Sequence, residues 1–229
     1  YGCALLTNGQ VKCWGAKSFL GVGLSGSLYD RLGDEPNEMG NNLPFVDLGS
    51  HGYEVIDIAL AGENSCALFE NGKVKCWGRN SAGQLGIGEP ANILGQANIR
   101  GNAPDEMGDI LPFVDLGENV FATQITLGVA HACVLTLDQR IKCWGANNEW
   151  GFLGQGHTLE NMGTDPSHMG DGLPYTDLGT EGNVIAIFSK GTHTCALFDH
   201  GKTKCWGDNW TGMLGYEDLV QRGSSITHM

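Results

Sequence analysis

Positive charge is scarce in this chain: 13 Lys and Arg stand against 26 Asp and Glu in 229 residues, a formal net charge of −13. Such a surface repels phosphate backbones and anionic membrane faces, so DNA and RNA are poor partners for most of it. Long apolar runs are absent, with no stretch of eighteen apolar residues, and no membrane span is expected. Helical periodicity is hard to find. There is no GxSxG elbow, no HExxH, and no P-loop Lys-Ser or Lys-Thr after the glycine-rich stretches. No catalytic residue is assigned, and the chain is expected not to be an enzyme.

What is present is repetition. The segment CALLTNGQVKCWG returns as CALFENGKVKCWG, CVLTLDQRIKCWG and CALFDHGKTKCWG. The cysteine pairs are Cys3 and Cys13, Cys66 and Cys76, Cys133 and Cys143, and Cys195 and Cys205, each ten residues apart, and the copies start 63, 67 and 62 residues apart. A fixed period of this size signals an array of copied units rather than one single-core domain.

Within each copy an apolar run, a Thr-Asn-Gly type turn signal and an alternating run spell a β-hairpin. A three-residue loop with Gly9 in the left-handed position sets Leu5 opposite Val11 and Cys3 opposite Cys13, close enough to bond. Gly72 and Gly201 hold the same place in the second and fourth copies. Gln139 holds it in the third, whose turn is expected to be strained or differently shaped. Zinc is the competing reading, because His131 and His193 each stand two residues before a cysteine. Neither CxxC nor HxxxH spacing occurs, and the first two copies carry Tyr1 and Asn64 in that column. Both histidines are therefore expected to be hydrogen-bonded strand residues inside a blade, and no metal ligand is assigned.

Between hairpins lie MGNNLPFVDLG, MGDILPFVDLG and MGDGLPYTDLG, each followed by a short apolar strand at 55–59, 124–127 and 184–188. Counting the LPFVDL strand, that apolar strand and the hairpin gives four strands per unit, as in β-propeller blades. After each Trp-Gly pair comes a glycine-rich return: GRNSAGQLGIG, GANNEWGFLGQG and GDNWTGMLG. These glycines read as bends and close approaches between blades.

The pattern CAL(x)nGxVxCWGxNxxGQLG resembles the regulator of chromosome condensation repeat family, especially its secreted, cysteine-bearing members, over essentially the whole chain. The most specific elements are WGxN at 77–80 and GQLGxG at 83–88. Two returns depart from it: the first, WGAKSFLGVG, is two residues short, and the third, with Trp150, is one longer. The resemblance implies an all-β propeller, commonly of seven blades, whose ring closes by strand sharing between termini. Seven units of about 64 residues would need roughly 450 residues, so the chain reads as part of a longer array. A ring closed by another polypeptide and an open stack of blades are the alternatives. The expected units are a partial blade at 1–38, blades at 39–106 and 107–168, and a blade plus the start of the next at 169–229.

Eight cysteines in four local pairs point to an oxidising compartment, hence a secreted or cell-surface protein. The leading expectation is an extracellular, non-enzymatic scaffold that binds a protein or a glycan through blade-edge loops. Its candidate contacts are Trp150, Phe152 and Trp210, with the long insertion at 89–104. A structural subunit of a fibre, coat or surface appendage, built from copies of itself, is the alternative. A guanine nucleotide exchange factor ranks below both, because paired cysteines and acidic charge oppose it. The recurring Asp47, Asp115 and Asp177 are expected to be turn or cap residues. No cofactor is expected, with calcium a lesser option given Asp34, Glu35, Asp105, Glu106, Asp109, Asp165 and Asp171 nearby. Asn209-Trp210-Thr211 is a sequon, making Asn209 a candidate glycosylation site.

Overall fold

The structure, a computed structural model, describes residues 1–24, 30–89, 98–158, 160–180 and 182–225. Its strands are β1 (Gly2–Leu5), β2 (Val11–Ala16), β3 (Arg31–Leu32), β4 (Val55–Ala61), β5 (Asn64–Phe69), β6 (Val74–Arg79) and β7 (Ile99–Arg100). They continue as β8 (Ala122–Leu127), β9 (His131–Thr136), β10 (Ile141–Gly145), β11 (Val184–Lys190), β12 (His193–Phe198) and β13 (Thr203–Gly207). Four antiparallel sheets result, ordered β1-β2-β3, β4-β5-β6-β7, β8-β9-β10 and β11-β12-β13. The remaining regular structure consists of three-residue 3-10 turns. No helix is long and apolar enough to cross a membrane among the described residues.

Each hairpin has the register the cysteine spacing demands. Cys3 faces Cys13, Cys66 faces Cys76, Cys133 faces Cys143 and Cys195 faces Cys205, and all four pairs are bonded. The turns are alike. The N–H of Gly9, Gly72 and Gly201 donates to Leu6, Phe69 and Phe198 at 3.0, 2.9 and 2.9 Å, and Gln139 donates to Thr136 at 2.8 Å. Gln139 adopts φ 63°, beside 74°, 76° and 84° for the three glycines, so the third turn keeps the shape and bears the strain.

One expectation is corrected by the pairing. The LPFVDL segments do not open the unit that follows them; they lie on the outer edge of the hairpin before. Val46 N–H donates to the Val11 carbonyl, Val114 to Val74 and Thr176 to Ile141, each at 2.8 Å. Bridges Lys12–Phe45 and Lys142–Tyr175 accompany them. The cause is local: β3 pairs only with Gly15 and Ala16 of β2, and β7 only with Gly78 and Arg79 of β6. The other end of each edge would otherwise leave backbone groups unpaired. Unit boundaries drawn at Met39, Met107 and Met169 therefore cut through the outer layer of the preceding sheet.

The inner strands β4, β8 and β11 each carry a bulge at their second or third residue. The cores lie between sheets as well as within them: Leu68 and Val74 of the second belong to one buried cluster with Ile125 and Val134 of the third and Ile187 of the fourth.

Candidate functional site: blade seams and return loops

The lysine before the second cysteine of each hairpin forms a column that strand patterning did not reveal. Lys75 is 0% exposed, yet its ammonium donates to Leu48 O at 2.9 Å and Gly108 O at 2.8 Å, with the Phe113 ring 4.7 Å away. Lys142 repeats this with Leu116 O at 2.7 Å, Gly170 O at 2.9 Å and the Tyr175 ring at 4.8 Å. Lys12 reaches Gly40 O and Lys204 reaches Leu178 O. Carbonyl ligation and the aromatic face satisfy a charge that burial alone would make costly. Burial pushes both Lys75 and Lys142 below the usual lysine range, opposed by Asp109 and Asp47 at the first and by Asp171 and Asp115 at the second.

The return glycines press on the tryptophan of the next sheet. A β-carbon on Gly21 would lie 2.6 Å from Trp77, on Gly86 2.6 Å from Trp144, and on Gly154 2.8 Å from Trp206. Indole N–H groups complete two of these locks, Trp144 to Gln84 O and Trp206 to Phe152 O, both at 3.1 Å. Gly215, next in the series, meets nothing within 4 Å. At the inner strands the Gln124 amide accepts from Ile187 N–H at 2.8 Å and donates to its carbonyl at 2.9 Å.

His131 is 1% exposed, and its Nε2 lies 2.8 Å from Thr194 Oγ1 on the next sheet. It is the hydrogen-bonded interior residue expected, although its Nδ1 is buried with no partner. Burial, followed by the neighbouring His193, pulls the imidazole down to about 4. Burial also lowers His193, against the pull of Asp208.

Asp47, Asp115 and Asp177 accept the N–H of Gly49, Gly117 and Gly179 at 2.9, 3.0 and 2.9 Å, as turn caps. Asp109 takes Ser50 N–H at 2.8 Å and Asp171 takes Glu118 N–H at 3.1 Å, each across a seam. Glu106 accepts three successive backbone N–H groups, and Asp165 caps Ser167. No group of three His, Cys, Asp or Glu side chains is placed to hold a metal ion among the described residues.

Of the candidate contacts, Trp210 is 68% exposed, Trp150 is half-buried and Phe152 is 2% exposed. Phe152 is therefore corrected from a ligand contact to a packing residue, lying 5.6 Å from the Trp150 ring and 5.4 Å from His131. Asn209 is corrected as well. It is 0% exposed; its amide donates to Asp218 O and Val220 O at 2.9 and 3.0 Å and accepts Leu214 N–H at 3.0 Å, leaving nothing to glycosylate. Asn80 accepts Leu85 N–H in the same way, which explains the asparagine of WGxN. Residues 90–97 of the insertion lie outside the described residues; at its edges Glu89 pairs with Arg100.

The family described as regulator of chromosome condensation (RCC1) repeat matches residues 55–84 and 122–149. The chain is 26% identical over 224 residues to the probable E3 ubiquitin-protein ligase HERC6 of Homo sapiens, covering 97% of this chain and 19% of that protein. It is 25% identical to the mitochondrial RCC1 domain-containing protein RUG3 of Arabidopsis thaliana, covering 96% and 42%. Among solved structures, human WBSCR16 superposes with a TM-score of 0.68 at 22% identity, over 96% of this chain and 48% of that one. The chain thus spans less than half the length of these relatives.

Proposed function

Because this chain belongs to the regulator of chromosome condensation repeat family, we propose that it is an extracellular, non-enzymatic β-propeller scaffold that binds a protein or a glycan through its return loops. Trp210 carries this reading. Its loop holds it outward: Asn209 before it is locked by buried hydrogen bonds, and its own N–H donates to Asp208 Oδ1 at 3.0 Å. The exposure belongs to the position, since Ser81 has the same place in the second return and is exposed although a further sheet follows. A large, rigidly mounted aromatic is a stacking platform for sugars and an anchor for proteins. Four disulfides closed within hairpins support an oxidising compartment, and with the acidic charge they argue against a nucleotide-exchange role.

The test is a glycan-array and surface-protein screen with the parent chain and Trp210→Ala. Loss of a captured partner at unchanged melting temperature supports the reading. Binding that survives this substitution, and Trp150→Ala added to it, sinks it. A second reading, a structural subunit of a fibre, coat or appendage, rests on the disulfide that each of the four hairpins carries, a stapling suited to repeats exposed to harsh media. Discrete monomers in size-exclusion chromatography would reject it, and regular polymers in electron micrographs would support it.

A further inference from the structure

The turn end of the third sheet departs from its copies. In the second and fourth sheets the residue after β5 or β12 donates its N–H to the carbonyl of the residue before the inner strand, Glu70 to Glu54 at 2.9 Å and Asp199 to Asn183 at 3.0 Å. The third sheet keeps this bond at 2.9 Å, but its pair is Leu137 and Phe121. Both side chains reach solvent: Leu137 is 70% exposed and Phe121 43%. With Val120 and Tyr175 they wall a cleft of about 440 Å³, which Glu118 and Asp138 also line. The strand that follows Phe121, β8, packs against both β4 and β11, so the apolar pair stands in solvent with the sheets on either side in place.

We propose that this cleft docks a segment of a partner protein that inserts one leucine-sized or aromatic side chain between Phe121 and Leu137 and sets a lysine or arginine against Glu118 and Asp138. The apolar half follows from the exposed pair, which stands where the copies carry acids and an amide and gains by being covered. Phe121 is rigidly based: a β-carbon on Gly72 would lie 2.7 Å from its own, and Ala122 N–H donates to Gly72 O at 2.8 Å. The basic half follows from charge. Asp171 accepts the Glu118 N–H at 3.1 Å, and the cation beside the cleft, Arg140, is stacked 3.3 Å from the Tyr175 centroid and 3.9 Å from Asp138. Three carboxylates thus face one guanidinium. Burial and then Asp138 push the Tyr175 phenol above its usual range, with Arg140 opposing and Asp171 adding. Complementary charge of this kind steers a partner and fixes its register. The adjoining turn agrees: Gln139 holds φ 63° where the other three copies have glycine, and strain of that kind gathers at ligand sites.

A second copy of this chain is a poor occupant, because 26 acidic against 13 basic residues would bring like charge to the rim. A sugar is poorer still, since Leu137 offers no ring to stack on and the Tyr175 ring already carries Arg140. The site lies at the turn end of β10, whereas the return loop leaves from its other end, so the inference goes beyond the loop-binding reading.

The probe is a phage-displayed random dodecapeptide library panned on the 229-residue chain, with the double variant Phe121→Glu, Leu137→Glu as counter-selection. That variant copies the second sheet, which carries Glu54 and Glu70 at these places, and should melt with the parent. If it does not fold, Leu137→Asp alone, after Asp199 of the fourth sheet, takes its role. Enriched peptides should share a large apolar residue next to a lysine or arginine. A labelled enriched peptide, followed by fluorescence anisotropy, should bind the double variant at least ~10-fold more weakly. Its affinity should also fall roughly fivefold for Glu118→Gln combined with Asp138→Asn, and fall again with added salt. No enrichment over the counter-selected variant, a consensus lacking either feature, or indifference to the two carboxylate substitutions would each overturn the proposal. So would displacement of the peptide by neutral oligosaccharides, which would make a glycan the occupant, or self-association of the parent that the double variant loses. Trp210→Ala should leave peptide binding unchanged, so the two readings fail separately.

Discussion

Gly86 lies against the indole of Trp144 so closely that a β-carbon there would sit 2.6 Å from Nε1, the same nitrogen that donates to Gln84 O. The return loop of one sheet and the signature tryptophan of the next are thus one contact. Gly86 and Gly52 share positive φ, 64° and 75°, but a β-carbon on Gly52 would meet nothing within 4 Å. Gly86→Ala should therefore cost about 3 kcal/mol, from overpacking plus backbone strain, and Gly52→Ala only about 1 kcal/mol, from strain alone. Calorimetric melting of the two variants checks the ordering; equal losses would show that the tryptophan contact carries no weight.

The lysine column predicts an asymmetric substitution. Lys142→Met preserves the apolar stem but leaves the Leu116 and Gly170 carbonyls without their donor. A loss of about 1–3 kcal/mol is expected, read as a lower urea midpoint at unchanged slope. A midpoint equal to the parent would mean that the carbonyls find other donors.

At the third hairpin, Gln139→Gly should stabilise the chain by about 1 kcal/mol, because glycine enters the left-handed region without the β-carbon clash. The same substitution at Arg140, one residue on, should not. Thermal midpoints of the two variants decide it.

His131 makes stability depend on acidity. Its folded value of about 4 lies below the ordinary 6.5, so between those limits the unfolded chain binds more protons than the folded one. The contribution is complete above about pH 6.5 and is lost as pH falls from there towards 4, by roughly 3 kcal/mol in all. His193 is shifted in the same direction. The difference in unfolding free energy between parent and His131→Gln, followed from pH 7.5 to 4.5, should narrow as the solution is acidified. A constant difference would contradict the linkage.

The hairpins were legible because two constraints coincide in sequence: cysteines ten apart and a glycine at the left-handed turn position. The seams were not. The hairpin pattern gives this lysine no partner for its charge, because the carbonyls that hold Lys75 come from Leu48 and Gly108, 27 and 33 residues away. The partner of each LPFVDL segment was hidden for a related reason: apolar alternation makes a strand but does not say which edge it joins. Phe152 was misread because a loop aromatic looks exposed until the histidine and tryptophan that cover it are known. Asn209 was misread because a sequon describes three residues and nothing of the carbonyls around them.

Every covalent cross-link closes on its own hairpin, and none runs from one sheet to another. Under a pulling force the sheets are therefore free to come apart one by one, while the ten-residue span inside each staple never pays out. In a single-molecule stretching trace, adding a reductant should lengthen the contour gained per unfolding sheet by about 30–35 Å, the extended reach of those locked residues.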